Sequence, residues 1–369
     1  MKELCIKDIC KKDSSSLKQK ELKETGQYPV YGASGIAGYL DSYHQESAYI
    51  GIVKDGSGIG RVSFYPERTS LIGTMQYILP KEGYDIRYIG YCLQSLDLSK
   101  YKQGAAIPHI YFRDYGERTV KVTDDINYQQ RVVSRLDTAF AHIDELKANA
   151  EKQLSEARAL FQKALTKAME PKEGWEEKTL GEIADFVRGP FGGSLTKAMF
   201  KPSGYAVYEQ QHAIHGHIKI RYFIDEIKFK EMERFSVEAG NLIMSCSGVT
   251  LGRVNLLPSN TPTGIINQAL LKMKVKPISN VLFFKYWLES THFQDIIMEY
   301  SGGAAIPNVP AVKIIKNINI SIPPLSEQQR IVARLDALST HVRELEEVLK
   351  KTIAECDALK QALLRKVFE

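Results

Sequence analysis

Two stretches of the chain, 128–169 and 327–368, contain neither proline nor glycine and repeat their apolar positions every seven residues. In the second, Leu335, Val342, Leu349, Cys356 and Leu363 form one line, with Ile331, Leu338, Leu345 and Leu359 on the complementary positions. In the first, Leu136, Ile143, Ala150, Ala157 and Ala164 run beside Val132, Ala139, Leu146 and Leu160. This spacing predicts two long helices with coiled-coil seams. Each would extend roughly 60 Å at 1.5 Å per residue. A seam of that length needs a partner in water, and the simplest one is the other helix, antiparallel because domain and helix alternate along the chain. Ser326, after Pro323-Pro324, is placed to cap the second helix.

The rest of the chain is patterned differently. Residues 1–127 and 171–325 carry short β-branched and aromatic runs punctuated by Gly, Asp and Pro, such as Tyr49–Val53 and Met75–Leu79. These read as short strands with loops. Amphipathic helices are expected around Tyr88–Leu96 and Val281–Met298. The fold class is therefore α+β: two similar α/β domains at 1–127 and 171–325, each followed by a long helix, at 128–170 and 326–369.

The similarity of the two halves is an internal repeat. Tyr101 to Pro108 reads YKQGAAIP and Tyr300 to Pro307, 199 residues on, reads YSGGAAIP. Gln129 to Asp137 (QQRVVSRLD) and Gln328 to Asp336 (QQRIVARLD) share that offset. Upstream the offset falls to 192, pairing Gly60-Arg61-Val62 with Gly252-Arg253-Val254 and Gln76 with Gln268. The globular parts have thus diverged by insertion while the helices kept their length. Antiparallel helices would set the two domains at opposite ends about an approximate two-fold axis. A hairpin that only dimerises is the alternative reading of the heptads.

Composition narrows the picture. No apolar run is long enough for a secretory signal or a membrane span, so a cytoplasmic location is expected. The five cysteines are odd in number and scattered, which fits reduced thiols. A net charge of +5 is mild, so any nucleic-acid surface must be local.

Catalytic motifs are missing. An adenine methyltransferase needs Asn/Asp-Pro-Pro-Tyr/Phe beside the base, whereas the only Pro-Pro here is Ile322-Pro323-Pro324-Leu325. Neither Gly189-Pro190-Phe191-Gly192-Gly193-Ser194 nor Gly56-Ser57-Gly58-Ile59-Gly60 has the spacing of a phosphate-wrapping or dinucleotide loop. His212, His215 and His217 with Glu209 are the one candidate metal cluster, and would suit a metal-dependent nuclease. They lack Cys and paired Asp, so solvated or DNA-facing loop residues is the preferred reading. No catalytic centre, metal or cofactor is expected.

Phosphates are bound by Lys, Arg, Ser and backbone amides, and base edges by Arg, Asn, Gln and Ser. Between Lys197 and Arg221 there are four Lys/Arg and one acid, with Gln210, Gln211, His212 and Lys219 among them, which nominates this segment as a recognition loop. Arg188 and Ser194 flank the glycine-rich turn. Ser245, Ser247 and Arg253 lie on a loop matching that of Lys54, Ser57 and Arg61. Tyr31, Ser34 and Tyr39 are candidates for the first domain's reading surface, with packed strand residues as the alternative. The Gly-Ala-Ala-Ile-Pro segments read as structural.

The alternation of variable domain and helix, the phrase Leu325-Ser326-Glu327-Gln328-Gln329-Arg330-Ile331-Val332, Tyr28 to Gly35 (YPVYGASG) and Met244 to Val254 (MSCSGVTLGRV) together resemble the specificity subunit of type I restriction-modification systems. One departure is that Gly174-Trp175-Glu176 opens the second repeat, whereas the first begins directly at Leu4 without a Trp. The resemblance implies two target recognition domains that each read one half of a split double-stranded DNA target, helices that dock two methyltransferase subunits, and motor-nuclease subunits added to those. Two reading surfaces on a rigid spacer would read half-sites about one duplex turn apart, roughly 34–36 Å. The resemblance implies a non-catalytic adaptor; a metal-dependent nuclease and a protein-only coiled-coil scaffold are the competing readings.

Overall fold

The computed structural model describes residues 1–104, 108–214, 218–302 and 307–368. It divides into two compact units, Met1–Gln153 with Val348–Glu369, and Leu154–Glu347.

In the first unit, β1 (Lys2–Cys5) leads into the one-turn helix α1 (Ile6–Ile9), whose start is tied by the Asp8 carboxylate accepting the Cys5 amide. Then follow β2 (Cys10–Ser14), β3 (Tyr28–Gly32), β4 (Gly35–Leu40), β5 (Tyr49–Val53), β6 (Val62–Tyr65), β7 (Ser70–Leu71), β8 (Met75–Pro80), α2 (Ile86–Ser95), α3 (Phe112–Tyr115), β9 (Thr119–Val122) and the long helix α4 (Ile126–Met169). An antiparallel sheet runs β2-β8-β5-β6, a mixed sheet runs β4-β3-β7 with β3 and β7 parallel, and β1 pairs antiparallel with β9. Every residue of β5 is buried, as its unbroken apolar run requires. Ile50, Ile52, Ile78, Tyr88, Ile89 and Leu93 form the main core. Each such side chain contributes about 1.5–3 kcal/mol by leaving water.

The second unit repeats this order as β10 (Glu176–Thr179), α5 (Leu180–Ile183), β11 (Ala184–Arg188), β12 (Tyr205–Tyr208), α6 (Gln210–Ile214), β13 (Phe223–Ile224), α7 (Glu226–Glu231), β14 (Ser236–Val237), β15 (Leu242–Ser245), β16 (Val254–Leu256), β17 (Gly264–Ile266), β18 (Leu270–Val275), α8 (Val281–Glu289), α9 (Thr291–Tyr300), α10 (Val312–Lys316), β19 (Asn319–Ile322) and α11 (Leu325–Phe368). Its sheets are β11-β18-β15-β16, β13-β12-β17-β14 and β10-β19. Here too the capping carboxylate recurs, Glu182 accepting the Thr179 amide at 2.7 Å. Where the Trp175 ring meets Phe283 (centroids 6.2 Å apart), the first unit has the Tyr88 hydroxyl against the Met1 sulfur.

The long helices are joined to the domains by a buried glutamine in the first turns of each. Gln129 Oε1 accepts the Asp85 amide at 2.6 Å, while its Nε2 donates to Gly83 O and Thr123 O. Gln328 Oε1 accepts the Asn280 amide at 2.7 Å, and its Nε2 donates to Pro323 O. Asp85 and Asn280 are themselves the caps of α2 and α8. A second tie follows one turn pair later: the Tyr91 hydroxyl donates to Asp137 and the Tyr286 hydroxyl to Asp336. Burial, reinforced by the Asp137 carboxylate, pushes the Tyr91 phenol up to about 12.

Within the first unit, Lys147 donates to Asp357 at 2.7 Å and Lys360 to Asp144 at 2.5 Å, so the segments of α4 and α11 run antiparallel. In the second unit Arg158 meets Glu346 at 2.8 Å, in the same register. Of the expected seams, Leu136, Ile143, Ala150 and Ala157 are buried, as are Leu335, Leu349 and Cys356. Of the companion lines, Val132, Ala139, Ile331 and Leu338 are half-buried, whereas Leu146, Leu160, Leu345 and Leu359 are 53, 59, 42 and 49% exposed. The flank that is covered instead holds Phe140 and Phe161, packed on the domain cores. A helix that must cover a domain as well as a partner helix rotates its buried arc toward the domain.

Three further expectations are corrected. Val281–Met298 is two helices, broken at Ser290, whose extended backbone and hydroxyl bond to Trp287 O end the first. Ser326 lies inside the first turn of α11, because the Pro324 carbonyl already accepts the Gln328 amide. Gln76 and Gln268 are not equivalent: the pairings Cys10↔Pro80 and Ala184↔Val275 place β8 and β18 at an offset of 195.

Replacing Gln328 by Leu leaves the Asn280 amide and the Pro323 carbonyl unpaired and is expected to destabilise the full chain by about 1–3 kcal/mol in urea unfolding. Lys147→Ala is expected to cost under about 1 kcal/mol and to lose even that at high salt. A Gln328→Leu variant no less stable than Lys147→Ala would contradict this ranking.

Candidate nucleic-acid interface

Each unit carries one hairpin loop whose backbone is specified in detail. In the first, β5 ends at Val53 and β6 begins at Val62, with Gly56, Gly58 and Gly60 at φ of 78°, 82° and 85°. These are left-handed conformations that L side chains rarely adopt. Gly60 N donates to Val53 O at 2.8 Å, Arg61 N to Gly58 O at 3.0 Å, and Ile110 N to Lys54 O at 3.0 Å. The Asp55 carboxylate is paired with His109 Nδ1. Arg61 donates to Ala33 O in the turn between β3 and β4, which brings exposed Ser34 to the same region as exposed Ser57. Tyr31 is half-buried, its ring 5.0 Å from Tyr65, and Tyr39 is half-buried with its backbone paired to Lys23, so both are packed strand residues.

The second unit builds the same loop between β15 and β16. Gly248 and Gly252 take φ of 72° and 78°, 192 residues on from Gly56 and Gly60. Gly252 N donates to Ser245 O at 3.0 Å, Arg253 N to Thr250 O at 3.2 Å, and Val309 N to Cys246 O at 2.9 Å. Arg61 and Arg253 are therefore structurally equivalent. The inner face of this loop is held by Gln210, whose Nε2 donates to Ser245 Oγ, Ser247 O and Thr250 Oγ1 at 2.7, 2.7 and 2.8 Å. Arg188 donates to Asn308 Oδ1 at 2.8 Å and to Val309 O. Cys246 beneath is a buried thiol, pushed up to about 12 by burial.

The candidates in the second unit thus fall into distinct groups. Gln210, Ser245, Ser247 and Arg188 converge on the hairpin loop, and Ser245 is fully buried. The segment from Lys197 to Arg221 is not one loop, since β12 and α6 interrupt it. Across it Glu209 accepts Arg221 at 3.1 Å and Gln211 at 3.1 Å, and the carboxylate raises the Arg221 guanidinium further above its ordinary value. Lys197 and Glu209 line a cavity of about 210 Å³ with Asn267 and Gln268. Ser194, Lys197, Lys219 and Arg253 are exposed, and among the described residues their side chains have no hydrogen-bond partner.

His212 corrects an expectation. It is not a solvated loop residue but a buried residue of α6, where Nδ1 accepts the Glu209 amide and Nε2 donates to Lys219 O. With both ring nitrogens engaged it cannot ligate a metal in this arrangement. His215 and His217, like Ala105–Ile107 and Gly303–Ile306 of the duplicated Gly-Ala-Ala-Ile-Pro segments, lie outside the described residues. Among the described residues no three potential ligands stand together as a metal site, and no helix is long and apolar enough to cross a membrane.

Sequence reasoning passed over Val249 and Phe191, which are 104% and 87% exposed at the tips of glycine-bounded loops. It also passed over Asp55, His109 and Asn308, which brace the hairpins. The signal for Val249 was present: the 192-residue offset sets it opposite Ser57.

The geometry can be compared with known proteins. The chain is 24% identical over 205 residues to the type I restriction enzyme MjaVIII specificity subunit of Methanocaldococcus jannaschii, a match covering 53% of this chain and 44% of that one. It is 21% identical over 269 residues to the type I restriction enzyme EcoBI specificity subunit of Escherichia coli, covering 65% and 56%. The chain spans about half the length of these curated relatives. A solved structure described as underlying complex assembly and conformational transition of the type I R-M system shares the fold, with a TM-score of 0.77 at 16% identity over 99% of this chain and 96% of that one. Residues 1–156 and 172–355 each match the type I restriction modification DNA specificity domain, and the chain belongs to that family.

Proposed function

We propose that this chain is the sequence-specific DNA-binding subunit of a type I restriction-modification complex. Its recognition domains, 1–127 and 171–325, each read one half of an asymmetric bipartite double-stranded target. Methylation and cleavage are supplied by methyltransferase and motor-nuclease subunits. The observation that carries this reading is the hairpin loop built twice on the same glycine conformations, with equivalent Arg61 and Arg253 beside different surroundings. Duplicated scaffolds with different side chains are what reading two unlike half-sites requires.

The helices supply the docking surfaces for two methyltransferase subunits. Support comes from Leu146 and Leu359 in the first unit and Leu160 and Leu345 in the second, exposed leucines on repeat-equivalent positions. Side chains at heptad positions that a two-helix seam would cover, yet left in water, suit a further helical partner.

Sequencing that reads methylated adenines, in cells carrying the methyltransferase with and without this gene, is expected to show a bipartite motif that depends on the gene; an unchanged pattern overturns the proposal. Leu146→Asp with Leu160→Asp is expected to leave the thermal unfolding of the chain nearly unchanged and to weaken methyltransferase association at least about tenfold, as for loss of apolar interface anchors. Unimpaired association in pull-down would remove the helices as the docking surface.

A further inference from the structure

The two hairpin loops share three backbone hydrogen bonds at equivalent positions. Gly60 N to Val53 O, Arg61 N to Gly58 O and Ile110 N to Lys54 O in the first unit are answered by Gly252 N to Ser245 O, Arg253 N to Thr250 O and Val309 N to Cys246 O in the second. The isolated bridges Asp55↔His109 and Ser247↔Asn308 also correspond. Between the equivalent left-handed glycines, the residue at the tip is Ser57 in one loop and Val249 in the other. One tip is an exposed hydroxyl; the other is an isopropyl group held wholly in solvent.

We infer that Ser57 and Val249 are specificity-determining residues of the two half-sites, and that Val249 recognises the C5-methyl group of a thymine in the major groove. This rests on the DNA-reading function proposed above. A lone exposed valine is ordinary on a protein surface, but this one stands on a braced loop. Gln210 ties Ser245, Ser247 and Thr250 beneath it, Gly248 N donates to Pro307 O at 2.9 Å, and Arg188 fixes Asn308 at the loop's flank. The side chain is therefore presented with little freedom to fold back. Exposed Arg253 on the same loop is available for a phosphate. Among base-pair edges in the major groove, the thymine methyl is the one apolar feature, so an apolar tip has one kind of partner there. A hydroxyl such as that of Ser57 can donate to or accept from any base edge. The shared backbone and the exchanged tip together give two readers of one geometry and different chemistry.

The test uses the full chain assembled with its methyltransferase, on a duplex carrying the methylated motif. Each thymine of the motif is replaced in turn by deoxyuridine, which lacks only the methyl group. The wild-type complex is expected to bind about fourfold more weakly at one such position, the value for losing one buried methyl contact, and the Val249→Ser complex is expected to be indifferent to that replacement. Ser57→Val is expected to change base preference in the other half-site only. A flat deoxyuridine scan, or a Val249→Ser complex with the wild-type scan, overturns the inference while leaving DNA reading intact. A motif half without thymine where Val249→Ser acts overturns it equally. Absence of any gene-dependent motif overturns the underlying function and this inference with it.

Discussion

The interaction on which the structure depends is the amide of a buried glutamine. Gln129 and Gln328 each satisfy a backbone amide at the start of a domain helix and a carbonyl at the end of the last domain strand. Those groups belong to helix ends and strand ends, where the backbone has no partner within its own element. One side chain thus closes at least two open ends at once, and it does so only if the long helix starts at a fixed place and angle. The tyrosine-to-aspartate bonds at Asp137 and Asp336 repeat the restraint further along. A coiled coil attached by a flexible linker could slide or swivel against its domain; one attached through its first turns cannot.

The same logic governs the hairpin loops. Their glycines allow the backbone to turn tightly, and conformational freedom in the free chain would make such a loop mobile. Here bonds from outside the hairpin remove that freedom: Ile110 and the His109–Asp55 pair in one unit, Gln210, Asn308 and Val309 in the other. Ile110 and His109 correspond to Val309 and Asn308 in this bracing, and Gln210 adds to it in the second unit. Gln210 and buried Ser245, nominated from the sequence as DNA contacts, are part of that bracing in the structure.

The helices, the repeat and the strands Tyr49–Val53 and Met75–Pro80 were legible in the sequence because period and composition are local signals. The face of each helix was not. Leu146 and Leu160 obey the heptad and yet lie exposed, because Phe140 and Phe161, which break the pattern, are drawn to domain cores that no periodicity reports. His212 read as a loop residue from its polar neighbours, whereas a two-sided hydrogen-bond arrangement buries it. The Gln76–Gln268 match was a coincidence of identity at the wrong offset, exposed only by strand register. Val249 was passed over for the opposite reason: a valine in a strand-rich region reads as core unless the repeat is used to set it opposite Ser57.

The ion pairs between the helices contribute little to stability, being exposed and screened. Their arrangement has another meaning. In the repeat, Lys147 corresponds to Glu346 and Arg158 to Asp357, so the cations of the Lys147–Asp357 and Arg158–Glu346 pairs lie on the first helix and the anions on the second, while the Lys360–Asp144 pair has the opposite sense. Were either helix set against a copy of itself in this register, Lys147 would oppose Arg158, or Glu346 would oppose Asp357. Each half is matched to its sibling and mismatched to its own duplicate, a form of discrimination by repulsion. Charge hardly decides how tightly these helices hold; it decides which helix is held.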